Sequence, residues 1–227
     1  MSSVQSLEAV LFDMDGTLVE TEHYWDRSLE LLAGELGGRM SAEVRPAMVG
    51  VAVPVSLQLL YADLGVTRTA EEQLRDDAFL YETTGRQVEE GVQGRPGALE
   101  LLSAVRAAGL RTALVTSTHR RLADRVLAQV GPGLFDVTVC GDEVPATKPD
   151  PSPYLQAMAA LGVAPGSCLV IEDSLTGVAS GLAAGATVLG VPTLQSLEPQ
   201  DGLVVRSTLA GLSVTDLQAL LDDRVAA

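Results

Sequence analysis

The run Ala9-Val10-Leu11-Phe12 passes directly into Asp13-Met14-Asp15-Gly16-Thr17, and this junction constrains the chain more than any other feature. Four consecutive apolar residues, too few for a helix and without alternation, read as a strand buried on both faces of a parallel sheet. Such a strand ends at the carboxyl edge of the sheet, where open α/β folds bind their ligands. Two carboxylates, Asp13 and Asp15, then stand at the mouth of the sheet. Gly16 permits a turn that residues with a Cβ resist. An Asx turn would account for Asp15 and Gly16 but not for Asp13.

Further apolar runs extend the pattern. Residues 112–116 (TALVT), 137–140, 168–172 (CLVIE) and 187–191 read as strands. Between them, Ala98, Leu101, Leu102 and Val105 mark one helical stripe, Leu122, Val126, Leu127 and Val130 a second, and Leu155, Met158 and Ala159 a third. Strands alternating with helices predict βαβ units and an α/β fold with a Rossmann-like parallel sheet. The alternation fails between residues 20 and 92. There Trp25, Leu29, Leu32 and Leu36 form a helical stripe, Leu57, Leu60, Tyr61 and Leu64 another, and residues 69–90 a polar helical stretch. The segment 91–97 (GVQGRPG) reads as a re-entry linker. The expected division is a core of residues 1–18 and 93–227 and a helical insertion of residues 19–92.

Composition narrows the function classes. The chain has 227 residues, 47% of them hydrophobic, enough for one domain with an insertion. Its formal net charge of −15 argues against nucleic acid or an anionic membrane as partner. Lys148 is the single lysine, and Cys140 and Cys168 stand apart, so zinc and disulfide frameworks are unsupported. No basic segment precedes an apolar stretch at the N-terminus, which argues against a signal peptide. Residues 174–197 carry no charge, but their glycines and Pro192 favour helix, turn and strand over a membrane span. The expectation is a cytoplasmic protein, a monomer or weak homodimer.

Three further signals carry chemistry. Glu172 and Asp173 close a predicted strand just before Ser174. They could cap a helix. Two acidic strand ends in one sheet, however, gather three or four carboxylates, a density that calls for a cation, and hard oxygen ligands suit Mg²⁺. Lys148 lies in Lys148-Pro149-Asp150-Pro151-Ser152-Pro153-Tyr154; a lone lysine is commonly a surface charge, but here it alone among lysines can offset an acidic site. Thr116 and Ser117 follow a strand and precede a helix, where a hydroxyl and free N–H groups suit an anion; an ordinary helix cap is the alternative.

In these four matches, taken in order, the chain resembles the haloacid dehalogenase superfamily over nearly its whole length. The insertion resembles the cap domain of the first subfamily, that of β-phosphoglucomutase and phosphoglycolate phosphatase. The resemblance implies phosphoryl transfer on a small phosphorylated metabolite. It casts Asp13 as nucleophile and Asp15 as general acid–base. Mg²⁺ would be held by the Asp13 carboxylate, the Asp15 backbone carbonyl and Asp173, with Glu172 assisting. Thr116, Ser117 and Lys148 would bind the phosphoryl oxygens.

Within that family, Asp15 argues against the dehalogenases, which lack the acid–base aspartate. The lysine-free cap argues against phosphonate cleavage. Mutases resembling β-phosphoglucomutase carry a cap histidine where this chain has Trp25, so the expected activity is phosphomonoester hydrolysis. A phosphosugar mutase is the alternative, and a non-catalytic phosphometabolite-binding protein ranks lower. In the cap, Glu22 could flank the site or start a helix, His23 could replace the missing histidine or face solvent, and Trp25 could pack in the cap or wall the substrate. Arg45, Arg75 and Arg86 could meet a second anionic group or remain solvated. The apolar residues 49–55 could face the site, and His119 is expected to start a helix.

Overall fold

Six parallel strands form a single sheet in the order β3-β2-β1-β4-β5-β6. They are β1 (Ala9–Phe12), β2 (Arg111–Val115), β3 (Val137–Val139), β4 (Cys168–Glu172), β5 (Thr187–Gly190) and β6 (Leu203–Val205). The computed structural model describes residues 6–226; residues 1–5 and 227 of the expected core lie outside the described residues. β1 is central, paired with β2 on one side and β4 on the other. The strand order reverses there, which opens a crevice at the carboxyl edge of the sheet.

The four residues of β1 are wholly buried, as an uninterrupted apolar run demands. Val10 and Phe12 join one cluster with Leu114, Leu169 and Ile171, while Ala9 and Leu11 join the other with Ala113, Val115 and Val170. This is the two-residue alternation of a strand with both faces covered. Burial of a side chain of this size contributes about 1.5–3 kcal/mol. Helices α4 (Ala98–Ala107), α5 (Arg120–Val130) and α8 (Val214–Ala226) supply residues to the first cluster. Helices α6 (Ser152–Leu161) and α7 (Leu175–Ala183) supply the second.

Between β1 and α4 lie the helices α1 (Glu22–Glu35), α2 (Val53–Leu64) and α3 (Ala70–Glu89), with a short 3-10 turn at Arg45–Met48. The chain leaves and re-enters the core through two segments bonded to each other: Glu20 N–H donates to Gln93 O at 2.8 Å and Arg95 N–H to Leu18 O at 2.9 Å. α3 starts at a capping box, with Thr69 accepting from the Glu72 N–H and Glu72 reaching back to Thr69, which satisfies the orphan donors of the first turn. The apolar faces of α1, α2 and α3 are continuous with the first cluster.

Two elements were not anticipated, β6 and α8, and one stripe was misread. Leu155 is 42% exposed, while Tyr154, Ala157, Met158 and Leu161 are the buried face of α6. None of the helices among the described residues is long and apolar enough to cross a membrane.

Candidate active site

Each strand end contributes to one crevice. Asp13 follows β1, and its N–H donates to Ile171 O of β4 at 3.1 Å, which sets it beside Glu172. Thr116 follows β2, with its N–H bonded to Val139 O at 3.0 Å. Asp173 follows β4 and Thr193 follows β5. The loop after β3 carries Lys148 to the centre: its Nζ donates to Asp13 Oδ1 at 2.6 Å, Glu172 Oε1 at 2.6 Å and Val115 O at 2.8 Å.

Glu172, Asp173, Lys148 and Asp13 are 0%, 1%, 4% and 7% exposed. The three carboxylates offer ligand atoms within 4.8 Å of one another, a group that could hold a metal ion. Burial, then repulsion from Glu172, pushes Asp13 up to about 8 against the pull of Lys148. Burial, then Asp13 and Glu172, holds Asp173 well above the usual carboxylate range. Burial works against the Lys148 ammonium, but Asp13 and Glu172 outweigh it and keep Lys148 charged. One ammonium therefore faces more negative charge than it balances.

Local sequence explains the close packing. Glu172 also accepts from Tyr154 Oη at 2.8 Å and from Ser174 Oγ at 3.1 Å. A Cβ on Gly177 would lie 1.9 Å from its carboxylate. At Gly16 the backbone has φ +78°, and a Cβ would lie 2.3 Å from Asp173 Oδ2. Both glycines are needed for the carboxylates to sit where they do.

Asp15 is separate from that group. Its Oδ1 accepts from Thr21 Oγ1 at 2.5 Å and Trp25 Nε1 at 3.1 Å, and its Oδ2 from Thr118 Oγ1 at 2.8 Å, with Thr116 Oγ1 at 3.4 Å. Its side chain is therefore not gathered with the three carboxylates expected to hold metal. Ser117 Oγ is buried with no hydrogen-bond partner, an open position suited to an anion.

A cleft of about 50 Å³ joins these core residues to the helical insertion. Asp13, Asp15, Thr116, Ser117 and Thr118 line one side; Glu22, Trp25, Arg45 and the apolar loop residues Val51 and Val53 line the other. The loop is tied to the core, with Thr176 Oγ1 donating to Gly50 O at 2.9 Å and Gln195 Nε2 to Pro46 O at 2.7 Å. Trp25 both walls the cleft and packs edge-to-face on Tyr81, 5.8 Å away. Tyr81 in turn stacks on His119 at 4.4 Å, and His119 precedes α5 as its cap residue.

Other cap residues fall differently. Glu22 is buried beside Arg45, 2.5 Å away, and Arg45 also pairs with Asp26. Burial raises the Glu22 carboxyl, and Arg45 opposes that rise. His23 is exposed against Tyr24 and does not reach the cleft. Arg75 and Arg86 are solvated beside Glu71 and Glu82 one helical turn away. Sequence reasoning missed Thr21, Thr118, Tyr154 and Thr193. Thr118 and Thr193 were open to the strand-end rule that found Thr116; Thr21 and Tyr154 had no comparable signal.

A family described as haloacid dehalogenase-like hydrolase matches residues 7–185. The chain is 33% identical over 180 residues to the phosphorylated carbohydrates phosphatase of Thermotoga maritima, covering 79% of this chain and 82% of that protein. It is 32% identical over 213 residues to protein CbbY of Rhodobacter capsulatus, covering 82% and 86%. The crystal structure of a CbbY mutant from Rhodobacter sphaeroides in complex with xylulose-(1,5)bisphosphate is similar with a TM-score of 0.84 and 25% identity, covering 93% of this chain and 99% of that one. The chain belongs to the haloacid dehalogenase-like hydrolases, in their first subfamily, where its relatives include proteins named as phosphatases.

Proposed function

We propose that the protein is a Mg²⁺-dependent phosphatase that hydrolyses a small phosphomonoester, a sugar or polyol phosphate, through an aspartyl-phosphate on Asp13. The observation that carries this reading is the pairing of two aspartates with different surroundings. Asp13 lies in the buried carboxylate group with Lys148 on Oδ1, and Asp15 stands apart, held by three hydroxyls and an indole. Carboxylates kept in unlike environments can take unlike roles.

Asp13 Oδ1 is held by Lys148, which leaves Oδ2 to attack phosphorus. As the new P–O bond forms, the bond to the leaving alcohol breaks, and Asp15 supplies that alcohol with a proton. Water then attacks the phosphoryl group, Asp15 takes the water proton, and Asp13 is released as a carboxylate. Thr116 and the Ser117 hydroxyl and N–H bind the phosphoryl oxygens where charge develops, and the Lys148 ammonium, its protons on Asp13, Glu172 and Val115 O, offsets negative charge beside them. The cap loop, bonded to Thr176 and Gln195, excludes bulk water.

The donor set fits a hard divalent cation: three buried carboxylates with ligand atoms within 4.8 Å and one lysine against them. Asp13, Asp173 and the Asp15 carbonyl would hold Mg²⁺, with Glu172 behind them. When bound, the ion supplies charge neutralisation for the phosphoryl group. The relative named for phosphorylated carbohydrates supports the sugar phosphate class. The division into a core of residues 1–18 and 93–227 and a cap of 19–92 belongs to the same reading, supported by the two connecting segments that are bonded to each other at residues 18–20 and 93–95.

The test is phosphate release from a panel of sugar and polyol monophosphates, with Mg²⁺, with EDTA, and with Asp13→Asn. Release is expected only with Mg²⁺, and the variant loses at least about 10³-fold. Equal release from Asp13→Asn would overturn the reading.

A further inference from the structure

The three buried carboxylates of the core are not held alike. Glu172 is bonded at both oxygens: Oε1 accepts from Lys148 Nζ at 2.6 Å and Tyr154 Oη at 2.8 Å, and Oε2 from Ser174 Oγ and the Asp173 N–H, both at 3.1 Å. Asp13 is held at Oδ1 by Lys148. The Asp173 carboxylate has one donor among the described residues, Thr193 Oγ1, 2.5 Å from its Oδ2. That bond leaves Oδ1 as the oxygen of Asp173 open to a cation.

The loop after β5 delivers Thr193 to this position. Two residues before it, the Val191 N–H donates to Glu172 O at 2.7 Å; two residues after it, Gln195 Oε1 accepts from the Leu175 N–H at 2.9 Å. The loop is thus fastened on either side of Thr193 to residues that flank Asp173 in the chain. Gly16 leaves room for the pair, since a Cβ there would lie 2.3 Å from Asp173 Oδ2 and 3.4 Å from Thr193 Oγ1.

We propose that Thr193 is a positioning residue that makes the acidic group select Mg²⁺ over Ca²⁺: by holding Asp173 Oδ2, it leaves one oxygen of that carboxylate for the ion. This rests on the reading of that group as a Mg²⁺ site. Mg²⁺ is small and demands near-octahedral geometry, whereas Ca²⁺ is larger and takes carboxylates by one or both oxygens in a looser shell. Binding through both oxygens of Asp173 would cost the Thr193 hydrogen bond and strand its hydroxyl. The same bond fixes the rotation of the carboxylate, and outer partners of this kind set metal affinity by about 10–100-fold. Glu172 takes its donors from elsewhere, so a change at Thr193 acts through Asp173.

The test reads metal binding directly. Mn²⁺ is the probe: the electron paramagnetic resonance signal of the free ion is lost on binding, and MgCl₂ and CaCl₂ compete for the site. Thr193→Val keeps the side chain's shape and removes the donor. It is expected to weaken Mg²⁺ by about tenfold and Ca²⁺ by no more than about twofold, so that the preference for Mg²⁺ falls at least about fivefold. Thr193→Ser, which keeps the hydroxyl, is expected to retain the parent's preference. Thr193→Ala serves if Thr193→Val fails to fold. An unchanged preference in a folded variant without the hydroxyl, or a Thr193→Ser protein that behaves like Thr193→Val, overturns the proposal. Phosphate release by the parent from sugar and polyol monophosphates with Mg²⁺ reports the phosphatase reading separately. Release with the preference unchanged in Thr193→Val overturns the role of Thr193 and supports that reading; no release with the preference lowered does the reverse. A parent that binds no Mn²⁺ overturns both.

Discussion

In the core, Asp13, Glu172 and Asp173 lie buried within 4.8 Å of one another with a single lysine among them. In the cap, the buried Asp76 is answered by Tyr61 Oη at 2.8 Å and by two nitrogens of Arg68 at 2.9 Å each. Both regions bury carboxylates, but among the described residues only the core crowds three buried ones together around one cation. A fold gains nothing from crowding like charges out of water, so the imbalance suits a group that could hold a cation. The cap network gives its one buried carboxylate both a hydroxyl and a guanidinium, with Arg68 also meeting the partly exposed Glu72, and it holds α2 against α3. The Glu22–Arg45–Asp26 trio stands between these cases, since it is paired but lines the cleft.

This contrast can be broken by substitution. The largest effect is expected at Gly177 in the core. Gly177→Ala would place a methyl group 1.9 Å from the Glu172 carboxylate, costing about 1–3 kcal/mol by overpacking and shifting the metal group, so that phosphate release falls by more than about tenfold. Denaturant unfolding and a Mg²⁺ titration of activity measure the two parts. Unchanged Mg²⁺ dependence would mean that Glu172 does not set the group's geometry.

Trp25 tests the seam between the regions. Trp25→Phe keeps the ring on Tyr81 but removes the donor to Asp15 Oδ1. A several-fold loss in kcat with little change in KM is expected, about tenfold at most because the hydroxyl partners of Asp15 remain. Trp25→His, which restores an N–H, should recover part of it. A change in KM alone would make Trp25 a wall and nothing more.

Within the cap the effects should fall on stability and leave chemistry alone. Tyr61→Phe removes one donor from buried Asp76, which keeps Arg68; a loss of about 1 kcal/mol is expected, read by chemical denaturation, with kcat unchanged. Thr69→Ala deletes the capping box of α3, and about 1 kcal/mol or less should be lost, with a correspondingly small shift in Tm. If either change lowered turnover as much as Trp25→Phe, the separation of core chemistry from cap packing would fail.

The strand ends were legible because their signals are local. Uninterrupted apolar runs stopping at Asp13, Thr116 and Glu172 identify buried parallel strands and place polar groups at one edge of the sheet. β6 has three residues, two of them partly buried, too short a run to stand out. α8 carries a local stripe at Leu217, Leu220 and Leu221 behind Ser213, which bonds with Asp216. Leu155 misled because the face that α6 buries is chosen by β2 and β3, not by the helix. Tyr154 gave no sign of meeting Glu172, 18 residues away.

By itself the sequence determined the parallel α/β core, the helical insertion, and the order in which aspartate, hydroxyl, lysine and acidic pair reach the sheet edge. Run length and periodicity carry that information within a few residues. Only the tertiary structure decided that Asp15 is held apart from the other carboxylates, that His23 faces solvent, and that Arg45 reaches the cleft already paired with Glu22 and Asp26. Those outcomes depend on how α1 packs against the Arg45 turn and against the segment that follows β2. A charge pair spanning 23 residues is fixed by that packing, because neither partner's own surroundings in the chain specify the other.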